Sequence, residues 1–123
     1  VFEVEALVGK NRLLVRMWGE IDDAEARQVG DAAVRAIDRL RPGFDMVSDM
    51  SGVVRVPPET PGQLRRIVEA ARAKGYGRTV RVVGRSAAAA LQFERISRAL
   101  GHEAHLAFSM EEAERLLDVG WPP

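Results

Sequence analysis

The chain has 123 residues, 46% hydrophobic and 29% charged, and its 18 basic and 18 acidic side chains cancel to a formal net charge of zero. That length suits one compact domain, expected to span residues 1–123, with a modest core; the interspersed charge leaves no footprint for nucleic acid or an anionic membrane. The absence of cysteine excludes disulfides, thiolate nucleophiles and cysteine-ligated zinc or iron–sulfur sites, while the lack of a long apolar run or a signal-peptide plan leaves the cytoplasm as the expected location.

Val1 to Val8 alternates Phe2, Val4, Ala6 and Val8 against Glu3 and Glu5, the period of an edge strand with one wet side. Gly9-Lys10-Asn11 is a turn. Arg12 to Trp18 alternates again, with Leu13, Val15 and Met17 facing one way and Leu14, Arg16 and Trp18 the other, so the two segments make a hairpin. Asp22 or Asp23 caps a helix from about Ala24 to Leu40, whose apolar positions Ala26, Val29, Ala33, Ile37 and Leu40 recur at spacings of three and four.

Arg41-Pro42-Gly43 stops that helix and feeds a central strand that is expected to end in a turn at Ser51-Gly52. The loop Gly52 to Glu59 is the only one long enough to invite a functional reading. Thr60-Pro61-Gly62-Gln63 has the chemistry of a helix start: a capping threonine, proline at the first position and glutamine to close a capping box. That helix runs to about Lys74 and buries Leu64, Ile67, Val68 and Ala71.

Gly75-Tyr76-Gly77 resets the chain before a β-branched strand from Arg78 to Val83. Ser86 caps an alanine-rich helix with Phe93, Ile96 and Leu100 on its inner face and Gly101 as its left-handed stop. Ala104 to Phe108 is a last short strand, and the capping box Ser109-Met110-Glu111-Glu112 opens a final helix to about Asp118 that buries Ala113, Leu116 and Leu117. The order ββαβαβαβα describes an α/β domain with a mostly parallel sheet, flanked by helices and begun by an antiparallel hairpin.

Four stretches, in this order and separation, carry a resemblance to the STAS family, the anti-sigma-factor antagonist fold. They are Met17-Trp18-Gly19-Glu20-Ile21-Asp22, Asp49-Met50-Ser51-Gly52-Val53, Gly77 through Gly84, and Ala107 through Ala113. The resemblance covers nearly the whole length. It implies a non-catalytic switch or scaffold that takes no cofactor and docks another protein, commonly an anti-sigma-factor kinase, through the loop after the third strand and the helix that follows. The residues this places at a partner surface are Ser51, Glu59, Thr60, Gln63 and Leu64. Members of the family usually carry Asp-Ser-Ser/Thr-Gly there, the first serine being the phosphoacceptor. Counting forward from Asp49 without gaps, those positions fall on Pro57, Pro58, Glu59 and Thr60, so the expectation is a STAS-like domain without that switch.

Other candidates compete with plainer readings. Asp45 and Asp49, four apart on one strand face, have the types needed for acid/base work, but no nucleophile accompanies them and Asp49 is expected to bind turn amides. His102 and His105, the only histidines, are expected at the surface rather than on a metal. Gly75-Tyr76-Gly77 lacks a phosphate-binding motif. Arg85 and Ser86 sit at a helix start whose free amides favour anions, which makes a nucleotide- or anion-binding module the alternative function. Arg16, Trp18 and Arg81 suggest an incompletely covered sheet face suited to self-association, since Trp and Arg are enriched at binding hot spots.

Overall fold

The computed structural model describes residues 1–84 and 86–121. Strand β1 (Phe2–Leu7) and strand β2 (Arg12–Glu20) form the antiparallel hairpin, joined by a 3-10 turn over Val8–Lys10 that ends on Asn11 in the left-handed region. Helix α1 (Asp23–Asp38) starts on Asp22, whose carboxylate accepts from the Glu25 amide at 2.8 Å. Strand β3 (Asp45–Arg55), helix α2 (Thr60–Lys74), strand β4 (Thr79–Val82), helix α3 (Ala87–Ala99), strand β5 (His105–Ala107) and helix α4 (Met110–Asp118) complete the order. The strands lie in the order β1-β2-β3-β4-β5, parallel except for the opening hairpin.

The sheet has two unlike faces. Leu13, Val15, Met46, Met50 and Val53 form one core with Val29, Ala33 and Ile37 of α1, Ala71 of α2 and Phe93 of α3. Val47, Val80, Val82 and Ala107 point the other way and pack against Ala113 and Leu117 of α4. Since α4 is short, the β1–β2 side of this second face stays open.

Three expectations are corrected. Strand β3 does not end at Ser51-Gly52 but continues to Arg55. Its pairing slips by one residue, from Arg16 opposite Asp49 to Trp18 opposite Gly52, and the extra residue is a bulge. Asp49 Oδ1 accepts from the Ser51 amide at 3.0 Å and the Ser51 hydroxyl at 2.6 Å, so the carboxylate that was expected to hold a turn holds the bulge instead. Helix α3 buries Ala89, Phe93 and Ser97, leaving Ile96 and Leu100 half-buried. Its inner stripe is rotated because the Ser97 hydroxyl serves two buried groups, accepting from Arg81 and donating to the carbonyl of His102. Helix α2 buries Val68 and Ala71 fully but Leu64 and Ile67 only halfway.

Gly84, just beyond β4, packs on the backbone of Ser51, and an added Cβ would overlap the Ser51 carbonyl. The neighbour is main chain inside a paired strand and has little room to yield. Gly84→Ala is therefore expected to destabilise the fold by about 2 kcal/mol, as overpacking does. Urea unfolding that shows no change in midpoint would refute this contact.

Candidate functional site

The carboxyl ends of β3, β4 and β5 meet at one edge of the sheet, where open α/β sheets gather ligands because loops and helix starts converge there. Ser51, Gly52, Val53, Val54, Val83, Gly84, Ser86 and Phe108 line a shallow groove of about 600 Å3 at this edge. Val54 and Phe108 are the large apolar side chains it leaves exposed, at 71% and 77%. Phe108 precedes the Ser109 cap of α4. Glu112 reaches back to the Phe108 amide at 3.0 Å, while its own amide donates to Ser109 Oγ at 3.0 Å. A hydrophobic residue in that position often staples onto the helix four residues beyond the cap. Here that residue is Ala113, which is buried and small, and the ring stays in solvent.

The residues expected at a partner surface divide. Ser51 is exposed, although its hydroxyl is committed to Asp49. Leu64 is half-buried. Thr60 is 8% exposed and does not cap α2; the N-cap is Glu59, whose amide donates to Asp23 Oδ1 at 3.0 Å and whose carboxylate lies 3.5 Å from Arg27. Gln63 closes no capping box: its carbonyl accepts from Arg66 at 2.8 Å and packs against Gly30 of α1. Thus no side chain caps the first turn of α2, and Asp23 of α1 accepts from the N-cap amide, the contact expected of Gln63. The side chains left facing solvent along this segment are Val54, Arg55, Pro58, Pro61 and Arg65. Val54 and Arg55 escape a sequence reading because the bulge reverses the alternation ahead of them. Phe108 carries a signal in retrospect, as a large apolar residue before a cap with only alanine to pack on.

The other candidates are also separated. Asp45 makes a two-pronged ion pair with Arg78, at 3.1 and 2.8 Å, and accepts from the Arg78 amide at 3.0 Å. Asp49 holds Ser51 and lies 3.5 Å from Arg16. Each carboxylate thus has a structural task, and the two do not act as an acid/base pair. Gly75 ends α2 in the left-handed region, and Gly77 lets the chain pass the Gly43 carbonyl, where a Cβ would come within 2.7 Å. Ser86 Oγ accepts from the Ala89 amide at 3.2 Å, an ordinary cap; Arg85 lies outside the described residues.

Arg16 and Trp18 do share the open face, with the guanidinium 5.8 Å from the indole centroid and 3.8 Å from Glu3. Arg81 does not belong with them. It points to the opposite face beneath α3, is 4% exposed, and donates to Ser97 Oγ at 3.1 Å. His102 is a second correction: it is buried at 3% exposure, its Nδ1 lies 3.0 Å from the Tyr76 hydroxyl, and the aromatic rings pack 5.2 Å apart. His105 is exposed beside Trp121. Among the described residues no group of three His, Asp or Glu is placed to hold a metal ion, and no helix is long and apolar enough to cross a membrane.

The fold is that of the STAS domains. The chain superposes on the Bacillus cell fate determinant SpoIIAA in its phosphorylated form with a TM-score of 0.65 and 18% identity, over 94% of this chain and 99% of that one. For the anti-sigma factor antagonist SpoIIAA in its unphosphorylated form the TM-score is 0.63 and the identity 16%, over 97% and 100%. No protein-family model and no curated protein matches the sequence. At these identities the likeness is one of fold.

Burial, followed by the charges of Arg81 and Arg72, pushes His102 down to about 4 from 6.5. Its folded-state value is depressed, so the neutral ring contributes full stability above pH 6.5. Between 6.5 and about 4 the unfolded chain takes up a proton that the folded chain does not, and roughly 3 kcal/mol is lost across that window. His102→Gln is expected to remove this part of the acid dependence. Chemical denaturation from pH 7 to 4 that gives parallel curves for both proteins would show that His102 titrates normally.

Proposed function

We propose that this chain is a non-enzymatic regulatory domain that docks a protein partner through the carboxyl edge of its sheet, from Ser51 to Leu64 and across the groove to Phe108. The observation that carries the reading is the pair of exposed apolar side chains, Val54 and Phe108, flanking that groove. Large apolar groups held in water by an ordered backbone are a feature of interaction sites. SpoIIAA, which shares the fold, is an anti-sigma factor antagonist, so the partner class is an anti-sigma factor or a comparable regulatory protein.

Control by phosphorylation at this edge has little support in the side chains. Thr60 is buried, and a phosphate on Ser51 would stand against the Asp49 carboxylate that now accepts its hydroxyl. The groove also disfavours an anion, because its described lining is apolar or small and the Ser86 cap is satisfied within its own helix.

The test is capture from lysate of the source cells on the immobilised domain, comparing wild type with Val54→Asp and Phe108→Asp. Both sites are exposed, so melting temperatures should stay within about 2 °C of wild type, while the captured partner falls at least tenfold, about 1.4 kcal/mol. Retention of the same proteins by both variants would sink the reading. So would their loss in Trp18→Glu alone, which would move the interface to the open sheet face.

A further inference from the structure

Between the sheet and helices α1, α2 and α3 lies a cavity of about 90 Å3. Most of its wall is hydrocarbon, including Val15, Met46, Ile67, Val68 and Phe93, while Thr79 and Arg81 border it from β4. Both polar residues are buried, at 8% and 4% exposure. Arg81 spends Nη2 on Ser97, but Nη1 makes no hydrogen bond among the described residues; the nearest carboxylate oxygen, Oε2 of Glu94, is 3.8 Å away. Thr79 Oγ1 likewise makes none. Two buried donors without acceptors, one of them charged, oppose folding unless a group with lone pairs meets them.

We infer that this cavity is a binding site for a short-chain carboxylic acid. Its carboxylate accepts from Arg81 Nη1 and Thr79 Oγ1, and its hydrocarbon tail lies among Val15, Met46, Ile67 and Val68. Three features select that chemistry. A guanidinium and a hydroxyl together offer the donors that a carboxylate accepts. Most of the rest of the wall is hydrocarbon and rewards a tail; of its other polar side chains, Ser48, Thr60, Gln63 and His102, the Gln63 carbonyl already accepts from Arg66 and His102 Nδ1 already meets Tyr76. The volume, about that of three water molecules in the liquid and below the roughly 150 Å3 that admits benzene, limits the tail to a few carbons. Glu94, 3.8 Å from Nη1, is half-exposed and also pairs with Arg98 at 3.4 Å, so it offsets the guanidinium charge only in part. Leu64 and Ile67, on the outer wall, are only half-buried and give a small molecule a way in. This site is separate from the groove at the carboxyl edge, so each proposal can fail without the other.

The experiment compares sodium propionate with propionamide, its uncharged isostere, at ionic strength matched with sodium chloride. Binding is followed by melting temperature and by amide NMR shifts. A tenfold excess of propionate over its Kd should raise Tm by about 5 °C, with the largest shifts at Thr79, Arg81 and the residues around them. Propionamide should bind at least tenfold more weakly. Thr79→Val, which keeps the side-chain shape, and Arg81→Met should each weaken propionate at least tenfold; Thr79→Val serves if Arg81→Met does not fold. Equal affinity for the amide, unchanged affinity in Thr79→Val, or no shift with 100 mM propionate would overturn the site. Hexanoate binding ten times more tightly than propionate would overturn its size class.

Discussion

The arrangement depends on one buried carboxylate. Asp45 stands at the first residue of β3 and grips Arg78 by side chain and backbone together, which fixes where the chain turns into β4. Arg78 then passes the constraint on, because Nη2 also donates to the Leu117 carbonyl at 3.1 Å and anchors α4. The Asp45 carboxylate holds the guanidinium more firmly protonated than usual. Next to it, Arg12 and Lys10 bind Asp118 at 2.8 and 3.2 Å and draw its carboxyl below the ordinary range, joining the end of α4 to the hairpin. Charges and carbonyls thus lock the amino edge of the sheet, and the carboxyl edge can leave apolar side chains in water without losing its shape.

The two sheet faces divide the work in a similar way. The face under α1, α2 and α3 is largely apolar, and four of its polar residues form a connected set: Arg81 to Ser97, Ser97 to the His102 backbone, and the His102 ring to Tyr76. Such a chain is stable only while the ring stays uncharged, since Arg81 and Arg72 already bring positive charge to it. The opposite face is covered only where α4 reaches. Its remainder carries Glu3, Arg16, Asp49 and Trp18, whose mutual contacts make the open surface polar enough to stay wet.

How much of this was legible in the sequence follows the range of the interactions. The caps at Ser86 and Ser109 and the left-handed stop at Gly101 depend on a few neighbouring residues, and each is where the residue types put it, while Asp22 is one of the two aspartates expected to cap α1. The alternation of Leu13, Val15 and Met17 against Leu14, Arg16 and Trp18 is equally local. What sequence reading misses needs a partner far along the chain. Gln63 looks like the closing member of a capping box until Asp23, 36 residues before Glu59, takes the Glu59 amide instead. Arg81 looks exposed until Ser97 comes to meet it, and His102 until Tyr76 does. The candidate edge was indicated by the loop after β3, but its membership was not, because the extra residue between Asp49 and Gly52 changes which side chains face out.

That bulge makes chain length, more than residue identity, the setting of the surface. Up to Asp49 the even positions of β3 point into the larger core; past Ser51 the odd ones do, so Val53 is buried and Val54 is not. Two identical side chains in sequence are given opposite fates by a one-residue offset that a single aspartate holds in place. A descendant of this protein that lost one residue at the bulge would keep nearly the same composition yet present the other valine to solvent, a different face reached without any substitution.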